Sequence, residues 1–200
     1  MGVAGAGVMR RAFGKEAFWV SRASDGRLFV PDQISVAAAD GTPVSLANNG
    51  IACFAADGTP DFSFQTGGWG RSALVSSGIP LADGRVWLAG AFNRYGGFPV
   101  PGIAQSTSAG ALSTSQVVSG RLMSSAMVVP AGSDKAYLLA ATGSNSLETY
   151  AVSLQRIGAD GSVDNGFTPV LPAGYSLGSA SLFESTGGKL ILFQDAIGAQ

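Results

Sequence analysis

The chain has 200 residues, of which 46% are hydrophobic and only 12% charged, against roughly 25% charged in ordinary soluble domains. Such a surface of Gly, Ala, Ser and Thr suits contact with neighbouring protein copies, and the length suffices for one sizeable core. Twelve basic and thirteen acidic residues leave a net charge of −1 with no Lys/Arg run longer than Arg10-Arg11, which excludes a nucleic-acid footprint, while no apolar stretch reaches the roughly 18 residues of a membrane-spanning helix.

At the N-terminus, Arg10-Arg11-Ala12-Phe13-Gly14-Lys15 resembles a twin-arginine export signal, but the charged, strand-like Glu16 to Arg22 follows where an apolar core is required. Residues 1–17 are therefore expected to form an N-terminal arm or a closing strand, on a chain made and kept in the cytoplasm. The remainder, 18–200, is expected to be a single repeat domain with units at about 18–70, 71–120, 121–172 and 173–200.

Four segments in chain order share a turn, a basic residue and an apolar strand. They are Asp25-Gly26-Arg27-Leu28-Phe29-Val30, Asp83-Gly84-Arg85-Val86-Trp87-Leu88, Ser133-Asp134-Lys135-Ala136-Tyr137-Leu138 and Gly187-Gly188-Lys189-Leu190-Ile191-Leu192. The basic residues are spaced 58, 50 and 54 apart. A second column runs half a period behind, with turn glycines at 58, 110 and 161. Asp-Gly and Gly-Gly supply the positive backbone angles of tight hairpins between apolar runs. Two hairpins per unit imply four strands per unit, and four-stranded units at this period are the mark of propeller blades.

These motifs resemble the delta-60 repeats of bacteria and phages, in which an Asp-Gly-Lys/Arg strand ends in Gly-x-Phe and a later Ile-Ala-Arg-Leu strand runs into Asp-Gly-Ser-Leu-Asp-x-x-Phe. Leu81 to Phe92 follows the first half, and Gly50 to Phe64 and Leu154 to Phe167 follow the second. Residues 102–116 have lost both aspartates, and the first strand pair ends in Pro31-Asp32 instead of Gly-x-Phe. The likeness covers roughly residues 18 to 193. It implies an all-β, propeller-like fold of about four four-stranded blades, the last incomplete in sequence.

The absence of histidine excludes Ser-His-Asp and Cys-His catalysis and every His-dependent metal site. Carboxylate chemistry would rest on Asp57, Asp61, Asp160 and Asp164. The middle copy carries Ala109 and Ser113 in their places but keeps Gly110, as a turn requirement predicts and a catalytic one does not. The same replacement weighs against calcium, which wants about six to eight oxygens. No catalytic residue, metal or cofactor is expected, and no ligand-binding residue is assigned. Phe29, Trp87 and Tyr137, with Ile191 as the fourth, share one repeat position and are expected in the core between blades. Trp69, Tyr95 and Phe98 sit in Gly-rich loops and are the candidates for a contact surface. Cys53 is the single cysteine, and its apolar run Ile51-Ala52-Cys53-Phe54 suits a buried hydrophobe.

The phase of the repeat puts a fourth second-column turn at about 215, past Gln200. An open edge of this kind must be capped, closed by residues 1–17, shared between two chains, or docked on a different protein. The expectation is a structural component of a phage virion, in tail, baseplate or fibre, assembled in the host cytoplasm with other copies of itself or other virion proteins as partners. The alternative is a bacterial cell-surface propeller that binds a glycan or protein ligand through its loops.

Overall fold

The computed structural model describes residues 20–31, 35–37, 43–45, 50–68, 74–100, 102–114, 122–131, 135–142, 151–171, 180–185 and 189–194, and these contain strands and turns but no α-helix. The expected arm at 1–17, Trp69 and the turns at 132–134 and 186–188 lie outside them.

Among the described residues sixteen strands follow in order. β1 (Ser21–Arg22), β2 (Leu28–Pro31) and β5 (Ile51–Phe54) make a three-stranded sheet, and β3 (Ser35–Ala37) pairs with β4 (Pro43–Ser45) as a separate hairpin. The second sheet is four-stranded: β6 (Leu74–Pro80), β7 (Val86–Ala91), β10 (Ile103–Ser106) and β11 (Leu112–Thr114), with the short hairpin β8 (Arg94–Tyr95) and β9 (Phe98–Pro99) inserted. β12 (Leu122–Ala131), β13 (Lys135–Thr142) and β14 (Ala151–Gly158) form the third sheet. β15 (Ala180–Glu184) and β16 (Leu190–Gln194) form the fourth. All pairings among the described residues are antiparallel.

Among the described residues only the second sheet has the four strands expected of every unit. In the first and third sheets the fourth strand shrinks to isolated bridges, Phe54 to Pro60 and Ile157 to Val163. The aspartates explain the difference. Asp61 Oδ1 accepts the Ser63 N–H (3.0 Å), and Asp164 Oδ1 accepts the Gly166 N–H (3.0 Å). These side-chain turns divert the backbone just past the bridge. Ser113 stands in their place in the second sheet, where β11 continues to Thr114.

The sheets stack face to face, and strand alternation divides each between two cores. Phe29, Ile51 and Cys53 of the first sheet meet Val75, Val86, Leu88 and Ala104 of the second. Ile79, Trp87, Ala89 and Ile103 on the opposite face of the second sheet meet Val128, Ala136, Leu138, Ala140 and Ile157 of the third. Tyr137, Leu139 and Leu154 then meet Leu182, Leu190 and Leu192 of the fourth. Phe29, Trp87 and Tyr137 thus each point at the following sheet, at most 5% exposed. Burying each such side chain contributes up to about 3 kcal/mol.

The opening strands of successive sheets also adjoin, β1 against β6 and β6 against β12. Ser21 Oγ donates to the Gly78 carbonyl (2.5 Å), and the Val128 N–H donates to Ser77 Oγ (2.7 Å). The latter satisfies a buried backbone donor at a sheet-to-sheet seam.

Candidate functional site

Antiparallel pairing places the turns after β1 and β5 at one end of the first sheet, and those after β6 and β10 at one end of the second. Gly26, Gly58, Gly84, Gly110 and Gly161 occupy these turns and the matching one after β14, all with φ between 84° and 90°. Only glycine adopts that backbone freely. At Gly110 a Cβ would also lie 2.7 Å from the Gln65 backbone.

In the first-column turns the aspartate orients the basic residue. Asp25 Oδ1 accepts the Arg27 N–H (3.0 Å) while Oδ2 takes Arg27 Nε (2.7 Å). Asp83 does the same for Arg85, at 3.1 and 2.7 Å. Held in this way, each guanidinium reaches the next sheet. Arg27 Nη1 donates to the Ser108 carbonyl (2.8 Å), and Arg85 Nη1 donates to the Ala159 carbonyl (2.8 Å). Ser108 and Ala159 are equivalent, each two residues before a second-column glycine. The recurring Asp-Gly-Arg motif is therefore a clasp between consecutive sheets, with charge-assisted bonds stronger than neutral ones.

Gln105 strengthens the second clasp. It is fully buried, receives Arg85 Nη1 on Oε1 (2.8 Å) and donates from Nε2 to the Ala159 carbonyl (2.7 Å). Cys53 and Arg156 hold the equivalent position, five residues before the turn glycine in each copy. Arg156 Nε and Lys135 Nζ both meet Asp164 Oδ2, at 2.9 and 3.2 Å, and the Arg156 guanidinium lies 5.1 Å from the Phe167 ring centre. Phe167 packs on Tyr137 (5.3 Å between ring centres) as Phe64 packs on Phe29 (5.2 Å). Gln105 and Arg156 carry no assignment from the sequence, although their fixed place five residues before the turn glycine marks both, whereas Phe64 and Phe167 end the repeat motif.

Asp57 and Asp160 stay within their own turns, while Asp61 also meets the Cys53 thiol and Asp164 the side chains of Arg156 and Lys135. Asp57 Oδ1 accepts the Thr59 N–H and hydroxyl (2.9 and 2.7 Å), and Asp160 Oδ1 accepts those of Ser162 (3.0 and 2.7 Å). Asp61 takes the Ser63 N–H and hydroxyl (3.0 and 2.5 Å). Every one is held below the ordinary carboxylate range: Asp57 chiefly by the Thr59 hydroxyl, Asp160 by that of Ser162, Asp61 by that of Ser63, and Asp164 by Lys135. A general acid requires the opposite shift. Among the described residues no group of three or more His, Cys, Asp or Glu is placed to hold a metal ion.

Cys53 lies in the core between the first two sheets, where burial pushes its thiol up to about 12. Tyr95, expected on a loop surface, is instead fully buried, because its hydroxyl donates to the Gly110 carbonyl and its ring joins the same core. A long aromatic with one polar tip can close a core while satisfying a turn. Phe98 is exposed as expected, at 61%, and Phe62 is exposed at 55%.

A family model described as "Domain of unknown function (DUF5122) beta-propeller" matches residues 81–115, the stretch from the Asp83-Gly84-Arg85 turn through β7, β10 and β11. No curated protein and no solved structure matches the chain. Over that stretch the chain is similar to a propeller family, and with its all-β architecture of small sheets this supports a β-propeller-like protein.

Proposed function

We propose that this chain is a structural assembly protein without an active centre, a component of a phage virion in tail, baseplate or fibre. It works by contact with other copies of itself and with other virion proteins. The observation that carries this reading is the use made of the repeated polar residues. The aspartates hold their own turns, and the arginines clasp one sheet to the next. A scaffold uses its charges in this way, and a surface with only 12% charged residues suits permanent contacts. The phage assignment rests on the resemblance of the repeat to delta-60 sequences. Cross-linking of native particles, followed by mass spectrometry, tests it. Cross-links from this chain to tail or fibre proteins support the proposal, and absence of the chain from purified particles refutes it.

A bacterial surface propeller that binds glycan or protein ligands is the second reading, favoured by the exposed rings of Phe62 and Phe98. It predicts saturable ligand binding that Phe98→Ala abolishes without unfolding the chain.

A further inference from the structure

The segment after the third sheet holds a pair that the clasps do not use, Asn165-Gly166. Both residues are exposed in a turn, with the Phe167 N–H donating to the Asp164 carbonyl (3.1 Å). Among the described residues the Asn165 side chain has no hydrogen-bond partner. Gly166 presents its N–H to Asp164 Oδ1 (3.0 Å), and without a side chain it leaves its nitrogen uncrowded.

We propose that Asn165 is a site of spontaneous self-modification, in which the Gly166 nitrogen attacks the Asn165 side-chain amide and Asp164 accepts the proton that the nitrogen gives up. The Gly166 N to Asn165 Cγ bond forms and the Cγ to Nδ2 bond breaks. The proton passes through Asp164 to the departing nitrogen, ammonia leaves, and the carboxylate is regenerated. Water then opens the cyclic imide at either carbonyl, giving aspartate or isoaspartate at 165. No oxidant or reductant is involved.

The four described Asp-Gly pairs provide internal contrasts. At Asp25, Asp57, Asp83 and Asp160 the carboxylate is tied to the N–H two residues on. The following glycine nitrogen is tied to a backbone carbonyl, of Ala23, Ala55, Leu81 and Gly158 respectively. In those turns neither the nitrogen nor the carboxyl carbon is released for ring closure. Asn165-Gly166 differs in that the Asn165 side-chain amide is untied and the Gly166 N–H is held by a carboxylate, Asp164 Oδ1, in place of a backbone carbonyl. Conversion matters locally because it sets a second carboxylate beside Asp164, which holds Lys135 and Arg156, and isoaspartate lengthens the main chain that seats Phe167 on Tyr137.

The test is peptide mapping by mass spectrometry after the folded full-length chain is incubated at 37 °C in mildly alkaline buffer. The Asn165 peptide is expected to gain the mass of an amide-to-acid change and to separate into aspartate and isoaspartate forms. The peptides carrying Asp25, Asp57, Asp83 and Asp160 are expected to keep their ordinary linkage. Asp164→Asn slows conversion several-fold in the folded chain, and in denaturant the variant and the parent convert alike. Asp164→Ser, which installs the residue that the second copy carries at Ser113, gives the same slowing if Asp164→Asn fails to fold. An unchanged Asn165, or a folded variant that converts as fast as the parent or faster, overturns the proposal.

Discussion

Replacing Arg85 with Met, Gln105 with Leu, and both together isolates the clasp between the second and third sheets. Arg85→Met removes the bonds from Nη1 to the Ala159 carbonyl and Gln105 Oε1. The carbonyl keeps Gln105 Nε2 as a donor, but Oε1 of a fully buried residue loses its partner. An orphaned buried acceptor costs about 1–3 kcal/mol. The Arg85 to Asp83 pair adds little, because those side chains are 29% and 52% exposed. The single change therefore costs about 2 kcal/mol, which in a chain of this size lowers Tm by roughly 4–8 °C. In the Gln105→Leu background there is no Oε1 left to orphan, and the Ala159 carbonyl that then loses its last side-chain donor is part-exposed, where water replaces it, so the same change costs about 1 kcal/mol less. Urea denaturation of all four proteins measures the coupling. Additivity to within about 0.3 kcal/mol refutes the clasp as drawn.

Gly110→Ala is expected to cost more than Gly58→Ala. Both glycines have positive φ, about 1–2 kcal/mol for a side chain, but only at Gly110 does the new Cβ meet backbone, at 2.7 Å from Gln65, whereas nothing lies within 4 Å at Gly58; thermal melts of the two variants give the order. Depressed carboxylates at Asp25, Asp57, Asp61, Asp83, Asp160 and Asp164 contribute stability that is fully present above the unfolded value near 3.8 and lost as pH falls through the folded values. Denaturation midpoints should therefore be level with respect to these groups above about pH 5 and decline below about pH 4. Tyr95→Phe, which strips the buried hydroxyl from the Gly110 carbonyl, lowers stability by about 1–2 kcal/mol, while Phe98→Ala on the exposed hairpin stays within about 0.5 kcal/mol of the parent in the same titration.

The turn glycines and the aromatic column could be read from the sequence because each depends on local chemistry: Asp-Gly dictates the backbone, and alternation dictates the face. Phe29, Trp87 and Tyr137 therefore lie between sheets as their shared position implies. The burial of Tyr95 is not legible in the sequence, because Gly96-Gly97 marks a loop without saying which way the preceding ring turns. That direction is decided by a turn carbonyl 15 residues away in sequence. The first and third sheets fall short of four strands because the aspartates that make their turns also shorten the strands that carry them. The clasps were hidden for a similar reason. Arg27 and Ser108 are 81 residues apart, and Arg85 and Ala159 are 74 apart, so only the stacking of sheets brings donor and acceptor together.

The claim that this propeller-like chain is built for assembly is tested most directly by the mass of the purified full-length protein in light scattering across a range of concentrations. A defined oligomer that persists on dilution is the predicted result. A monodisperse monomer at every concentration would contradict it.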